Sequence, residues 1–237
     1  RIGVFHLNHG FREEAKEDAD FVADYASKQG VPAHIVSYDI LSYLEKSGES
    51  KQQGARTIRY KLMEECAKEH GYGRIALAHH GDDQAETMLM RVLRGSGLHG
   101  LGGIPAQRGL FIRPLLTVFK EEILHYCRGF EVPFVVDPTN FQPIYLRNKV
   151  RQELLPLLQE EYNPQMATQL VQLAQLVHED DLELDRQVEQ ICGGHVHYRG
   201  GQVVFPRALF RELSVSLQRR ILRKLLMSHQ GHLLRIG

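Results

Sequence analysis

The chain has 237 residues, 43% hydrophobic and 24% charged, a balance that reads as globular rather than disordered and leaves room for one good-sized domain beside a smaller one. Lysine plus arginine and aspartate plus glutamate each number 29, so formal net charge is zero and composition gives no support for a nucleic-acid partner; only local charge pattern can. No apolar run approaches the roughly 18 to 20 residues that span a bilayer. The three cysteines, Cys66, Cys127 and Cys192, form no CxxC pair, which argues against a disulfide framework, a zinc ribbon or an iron–sulfur site and fits a reducing cytosol.

Arg1 opens directly into the apolar run Ile2, Val4, Phe5, which reads as a start part-way through a protein; a targeting peptide upstream stays open. Residues 1–7 read as a buried strand. Residues 13–29 read as a helix with the apolar stripe Ala15, Ala19, Val22 and Ala26, ended by Gly30, and a second strand follows at 32–38. A polar loop containing Ser47, Gly48 and Ser50 leads to a helix from about Gln53 to His70, then a short strand from Ile75 to Ala78 and a helix starting near Asp82. The pattern repeats with a strand at Leu110–Ile112, a helix at 118–128 closed by Gly129, and a strand at Phe134–Val136. Strands joined by helical crossovers predict an α/β, Rossmann-like parallel sheet covered on both faces, with ligands beyond the carboxyl ends of the strands. From about Tyr145 the texture turns helical, interrupted by a hairpin between Gly193 and Phe205 and closed by a helix at 214–227. The expected division is a catalytic domain over 1–155 and a mainly helical domain over 156–237.

The clearest chemistry lies in Ala78-His79-His80-Gly81-Asp82-Asp83-Gln84-Ala85-Glu86-Thr87, at the end of a strand and the start of a helix. Asp83 and Glu86, three apart, share a helical face and can converge on one cation. Acids in a first helical turn also complement the macrodipole for about 0.3–1 kcal/mol each, which is the plain reading. A rival reading is a metal-dependent phosphohydrolase using His6, His9, His79, His80, Asp82 and Asp83, since His6-Leu7-Asn8-His9-Gly10 also follows a strand.

Arg94-Gly95-Ser96-Gly97-Leu98-His99-Gly100 contains a literal GxGxxG, but a helix precedes it and more glycine follows, so it is a loop and not a dinucleotide fingerprint. Arg56, Arg59 and Arg113 are candidates for phosphate, against the commoner role-free surface arginine. Asp137-Pro138-Thr139-Asn140 leads to Tyr145-Leu146-Arg147-Asn148-Lys149-Val150-Arg151, where Arg147 and Arg151 form a basic face opposite Leu146, Val150 and Leu154. The last helix pairs an apolar stripe with Arg219, Arg220, Arg223 and Lys224; phosphate contact and a solvated face both account for it.

In order and spacing, HLNHGFR at 6–12, ARTIRY at 55–60, AHHGDDQAET at 78–87, RGSGLHGLGGI at 94–104, RPLL at 113–116 and DPTN…YLRNKVR at 137–151 resemble the tRNA(Ile)-lysidine synthetase family of N-type ATP pyrophosphatases. The resemblance covers roughly the first two thirds of the chain. The family's SGGxDS phosphate loop is absent; Ser47-Gly48-Glu49-Ser50 lacks its paired glycines and preceding strand, so that loop is expected upstream. The resemblance implies a cytoplasmic ligase that uses ATP and Mg²⁺ to activate the C2 oxygen of the wobble cytidine of a CAU-anticodon isoleucine tRNA. The side-chain amine of free lysine then displaces AMP.

A lysine amine of pKa about 10.4 is neutral about one time in 2,500 at pH 7, which costs about 4.6 kcal/mol, so the site must collect the cation and then take its proton. Their convergence after one strand points to Asp83 and Glu86 as the residues that recognise lysine, with His79 positioning or deprotonating the amine. His6, Asn8, His9, Arg59, Arg94, Arg113, Arg147 and Arg151 are assigned to ATP or tRNA phosphate. Arg219, Arg220, Arg223 and Lys224 are speculative tRNA contacts. No resident metal centre is expected, and a homodimer is compatible with this reading. A tRNA thiolase of the same superfamily is the second reading within it, disfavoured by the scattered cysteines.

Overall fold

A computed structural model describes residues 1–8, 15–135, 146–199 and 202–230. The chain divides into two compact units, Arg1–Asp83 with Pro105–Gln142, and Gln84–Ile104 with Pro143–Gly237.

In the first unit β1 (Val4–Asn8) pairs in parallel with β2 (Ala33–Ser37), in a register running from Val4 opposite Ala33 to Asn8 opposite Ser37. The crossover is α1 (Ala15–Lys28), whose Ala19 and Ala26 are buried as the helical period requires. The loop expected around Ser47 is preceded by a helix that the sequence reading missed, α2 (Ile40–Ser47). Asp39 caps it by accepting from the Ser42 N–H at 3.2 Å, Ile40 is fully buried, and Gly48 closes it in the left-handed region. Ser50 then caps α3 (Lys51–Glu69) by accepting from the Gln53 N–H. The polar residues that read as a loop are the caps between two helices. Gly54 allows these helices to meet, since a Cβ there would lie 2.3 Å from Leu44 Cδ2.

β3 is shorter than expected, Ile75–Ala76, and pairs in parallel with β5 (Phe111–Ile112); β4 (Gln107–Arg108) adds an antiparallel edge. Leu77 still donates its N–H to the Ile112 carbonyl at 2.9 Å before the chain turns toward the helix α4 (Gly81–Leu93). The helix α6 (Lys120–Gly129) starts where the Phe119 N–H donates to the Glu122 carboxylate at 2.7 Å. Phe134 and Val135 are not in a strand; Val136 and the Asp137–Asn140 motif lie outside the described residues, as do His9 and Tyr145. Parallel pairs joined through helices are the α/β architecture the alternation predicts, seen among the described residues as a two-stranded and a three-stranded sheet.

The second unit takes most of α4 and the short helix α5 (Leu98–Leu101). It continues with α7 (Leu146–Lys149), a π-helical turn at Val150–Leu154, α8 (Leu155–Glu161) and the 30-residue α9 (Met166–His195). The expected hairpin is β6 (His197–Arg199) with β7 (Gln202–Val204), followed by α10 (Arg207–Glu212) and α11 (Val215–Gln230). Val188, Cys192 and Ile221 form a buried cluster, packed by Phe205, Phe210, Leu217 and Leu225. Helix therefore dominates this half, as its leucine periodicity indicates.

Candidate active site

The backbone leaves β3 and starts α4 at Gly81, whose N–H donates to the Val118 carbonyl at 2.8 Å. The acids that follow are tied down at once. Asp83 accepts from the His80 N–H at 3.1 Å, and Asp82 accepts from the Lys120 N–H at 2.8 Å with His80 Nδ1 3.1 Å away. Burial pushes the Asp82 carboxyl up, but the hydrogen bonds from His80 and Lys120 and the charge on His80 outweigh it and leave Asp82 below its ordinary value. The plain helix-start role is therefore real for both aspartates. Asp83 keeps a side chain 16% exposed, so it remains reachable. His79 and His80 are half-buried.

Other members of the predicted set fall in the same unit. His6 and Asn8 sit on β1, half-buried, and Arg59 is exposed on α3. Burial lowers the pKa of His6; Asp18 opposes the shift and Arg59 adds to it, so Arg59 lies within electrostatic reach of the end of β1. Arg113 is 5% exposed. It donates to the Pro105 carbonyl at 2.8 Å, while its buried Nε has no hydrogen-bond partner among the described residues. A guanidinium held this way suits an anion.

Glu86, in the second unit, is fully buried, and both of its oxygens are engaged. Arg147 Nε donates to Oε2 at 2.9 Å, Arg151 Nε to Oε1 at 2.5 Å, and a second nitrogen of Arg151 to Oε2 at 3.1 Å. Arg147 also reaches the Thr87 hydroxyl at 3.1 Å. The basic face read from spacing is thus turned onto the buried carboxylate. A carboxylate offers about four acceptor positions, and among the described residues three are filled, which leaves one on Oε1.

The glycine loop after α4 is fixed rather than slack. Arg91 donates to the carbonyls of Gly100 and, at 2.6 Å, Gly103, and the Gln84 amide pairs with both backbone groups of Ile104. Arg94 is exposed beside it. On α11, Arg220 is drawn inward onto Asp181 and, at 2.6 Å, Asp185; His99 Nδ1 lies 2.7 Å from the same Asp181. Lys224 pairs with Glu189. Arg219 and Arg223 stay exposed and line a cavity of about 410 Å³ with Ser96, Gly97 and Ser216. Sequence reading named all four cations but not Asp181, whose place as a buried acid inside an amphipathic helix was its one available signal.

The fold is that of an α/β protein, parallel strand pairs joined through helices, with a mainly helical second unit. A sequence model of the PP-loop domain family matches residues 1–158, and the chain belongs to that family. Curated relatives include the tRNA(Ile)-lysidine synthase of Bacillus cereus (strain ATCC 10987), 36% identical over 92% of this chain and 47% of the relative. That of Caldanaerobacter subterraneus subsp. tengcongensis is 32% identical over 98% of this chain and 50% of the relative. The chain spans about half the length of these relatives. Among solved structures, the U34-tRNA thiolase NcsA from Methanococcus maripaludis with its [4Fe-4S] cluster superposes with a TM-score of 0.59 at 19% identity, covering 74% of this chain and 60% of that one. That likeness concerns the fold alone.

Asp181 supplies a measurable consequence. Burial raises its pKa, yet hydrogen bonds from Arg220 and His99 and their charges override this and hold it below the ordinary aspartate value of 3.8. A carboxylate with a depressed folded-state pKa contributes stability that is present above the ordinary value and is lost as pH falls through the folded-state value. Urea titrations from pH 5 downward should show stability falling through and below the ordinary aspartate range. Asp181→Asn should flatten that fall and cost about 3 kcal/mol at pH 7, because Arg220 loses its one buried counter-charge and keeps only the half-exposed Asp185.

Proposed function

We propose that this chain forms the larger part of the catalytic region of a tRNA(Ile)-lysidine synthase, joining lysine to C2 of the wobble cytidine of a CAU-anticodon isoleucine tRNA at the expense of ATP. The observation that carries the reading is the AHHGDDQAET segment at the carboxyl end of β3, where a doubly wound sheet keeps its ligands, in a chain whose relatives at 32–36% identity bear that name. On this reading residues 1–155 hold the nucleotide and lysine, residues 156–237 face the tRNA, and the reaction takes place in the cytoplasm.

His6 and Asn8 on β1, with Arg59 and Arg113, are the candidates for ATP phosphate; the buried, unmatched Nε of Arg113 is the feature that fits an anion. ATP supplies the adenylyl group that turns the C2 oxygen into a leaving group. Mg²⁺ would accompany those phosphates, but the carboxylates after β3 are already committed to His80, Lys120 and the two arginines, so no step is assigned to the ion. Asp83, more exposed than Glu86, is the first candidate for the lysine ammonium. Glu86 is the second candidate, with an acceptor position left beside Arg147 and Arg151 among the described residues. His79, two residues beyond the last hydrogen bond of the β3 edge, is the candidate base that takes the amine proton as the C2–N bond forms and AMP departs.

The cysteines disfavour the thiolase reading, because Cys66, Cys127 and Cys192 stand on α3, α6 and α9 and no two are bonded. For the tRNA, Arg219 and Arg223 are better candidates than Arg220 and Lys224, which are held by acids.

Two measurements check these roles. Asp83→Asn should raise the apparent KM for lysine at least tenfold, about 1.4 kcal/mol or more, with the KM for ATP little changed; unchanged lysine kinetics would remove Asp83 from the site. Arg219→Gln with Arg223→Gln should weaken tRNA binding and reduce the slope of log affinity against log salt by roughly 2. The same pair at Arg220 and Lys224 should show mainly lost stability. An unchanged salt slope would remove α11 from the tRNA surface.

A further inference from the structure

His34 stands on β2, and Cys66 and His70 stand one helical turn apart at the end of α3, where the His70 N–H donates to the Cys66 carbonyl at 3.1 Å. All three are half-buried, and one ligand-type atom from each lies within 4.8 Å of the others. The His34 and His70 rings stack at 4.1 Å between centroids, and the Tyr72 hydroxyl lies 3.1 Å from His34 Nε2. We propose that His34, Cys66 and His70 bind one divalent transition-metal ion of the zinc class, which clips β2 to the end of α3.

The donor set selects the metal. Two imidazoles and a thiolate are borderline-soft ligands, suited to zinc and unsuited to magnesium or calcium, which take oxygen. Bond lengths of about 2.0–2.3 Å at a tetrahedral ion put neighbouring ligand atoms roughly 3.3–3.6 Å apart. Closing from 4.8 Å to that spacing takes about 1.2–1.5 Å, and the two imidazoles must turn out of their stack, because a bound ion lies in the plane of each ring; rotation about the side-chain torsions supplies both. The contact of the Tyr72 hydroxyl with Nε2 orients the His34 ring, the usual office of a group behind a metal-bound imidazole. Glu69 lies within electrostatic reach of both His34 and Cys66 and supplies compensating negative charge; Arg1 opposes it at His34. With three protein ligands at a half-buried site, the fourth position falls to water. Ring stacking alone explains the two histidines but gives no role to the thiol beside them.

The site is independent of the lysidine reading, and its test is too. Protein stripped by chelator is titrated with Co²⁺, then with Zn²⁺ in competition. One equivalent of Co²⁺ should bind with a thiolate-to-cobalt charge-transfer band and tetrahedral d–d absorption, and Zn²⁺ should displace it. Excess Zn²⁺ should raise the melting temperature by about 5 °C or more. Cys66→Ser should abolish the charge-transfer band and His70→Gln should weaken binding about 100-fold, while Cys127→Ser changes neither. Metal-free melting curves confirm that each variant is folded, and His34→Gln replaces either one that is not. Absence of a saturable equivalent in the native protein, or a band that survives Cys66→Ser, overturns the proposal.

Discussion

Everything placed after β3 depends on how closely the chain passes Val118 and Phe119 at Gly81. A Cβ at Gly81 would lie 3.1 Å from two Phe119 ring carbons and 3.2 Å from the Val118 carbonyl oxygen, closer than most side-chain contacts allow. With hydrogen alone there, the Gly81 N–H reaches that carbonyl and α4 starts immediately. The start of α4 sets the positions of Asp82, Asp83 and Glu86 along one helix. It also puts Asp82 beneath the first N–H of α6, so two helix starts share one carboxylate.

Buried acids organise the second unit. Glu86 gathers Arg147 and Arg151, and Asp181 gathers Arg220 and His99. Stripping water from a carboxylate costs several kcal/mol, and only a well-directed guanidinium recovers it. These arginines therefore hold helices that are remote in sequence at fixed register. The same commitment divides the cations of α11 into a structural pair, Arg220 and Lys224, and an exposed pair, Arg219 and Arg223. Charge counting along the helix treats all four alike.

Local periodicity made much of the fold legible. The stripe Ala19 to Ala26 marked α1, the stretch between the polar loop and the strand at Ile75 read as the helix α3, and the polar break between Gly193 and Gln202 marked the hairpin. Helix α2 escaped because it is only eight residues long and its capping residues read as loop. The site was legible as a set of residue types, since carboxylates and histidines behind a strand are unusual in the sequence itself. Their partners were not. Arg147 stands 61 residues from Glu86, Arg220 stands 39 from Asp181, and His34 stands 32 and 36 from Cys66 and His70. No period of 2 or 3.6 carries information over such separations.

Lysine as nucleophile is tested most directly by ATP-dependent transfer of labelled lysine by the full-length protein to an unmodified isoleucine tRNA bearing CAU. Methionine tRNA and other amino acids serve as controls. Incorporation should require ATP, lysine and that tRNA together. Release of pyrophosphate on a different tRNA without lysine incorporation would contradict it, leaving the PP-loop fold in place and assigning the site to another nucleophile.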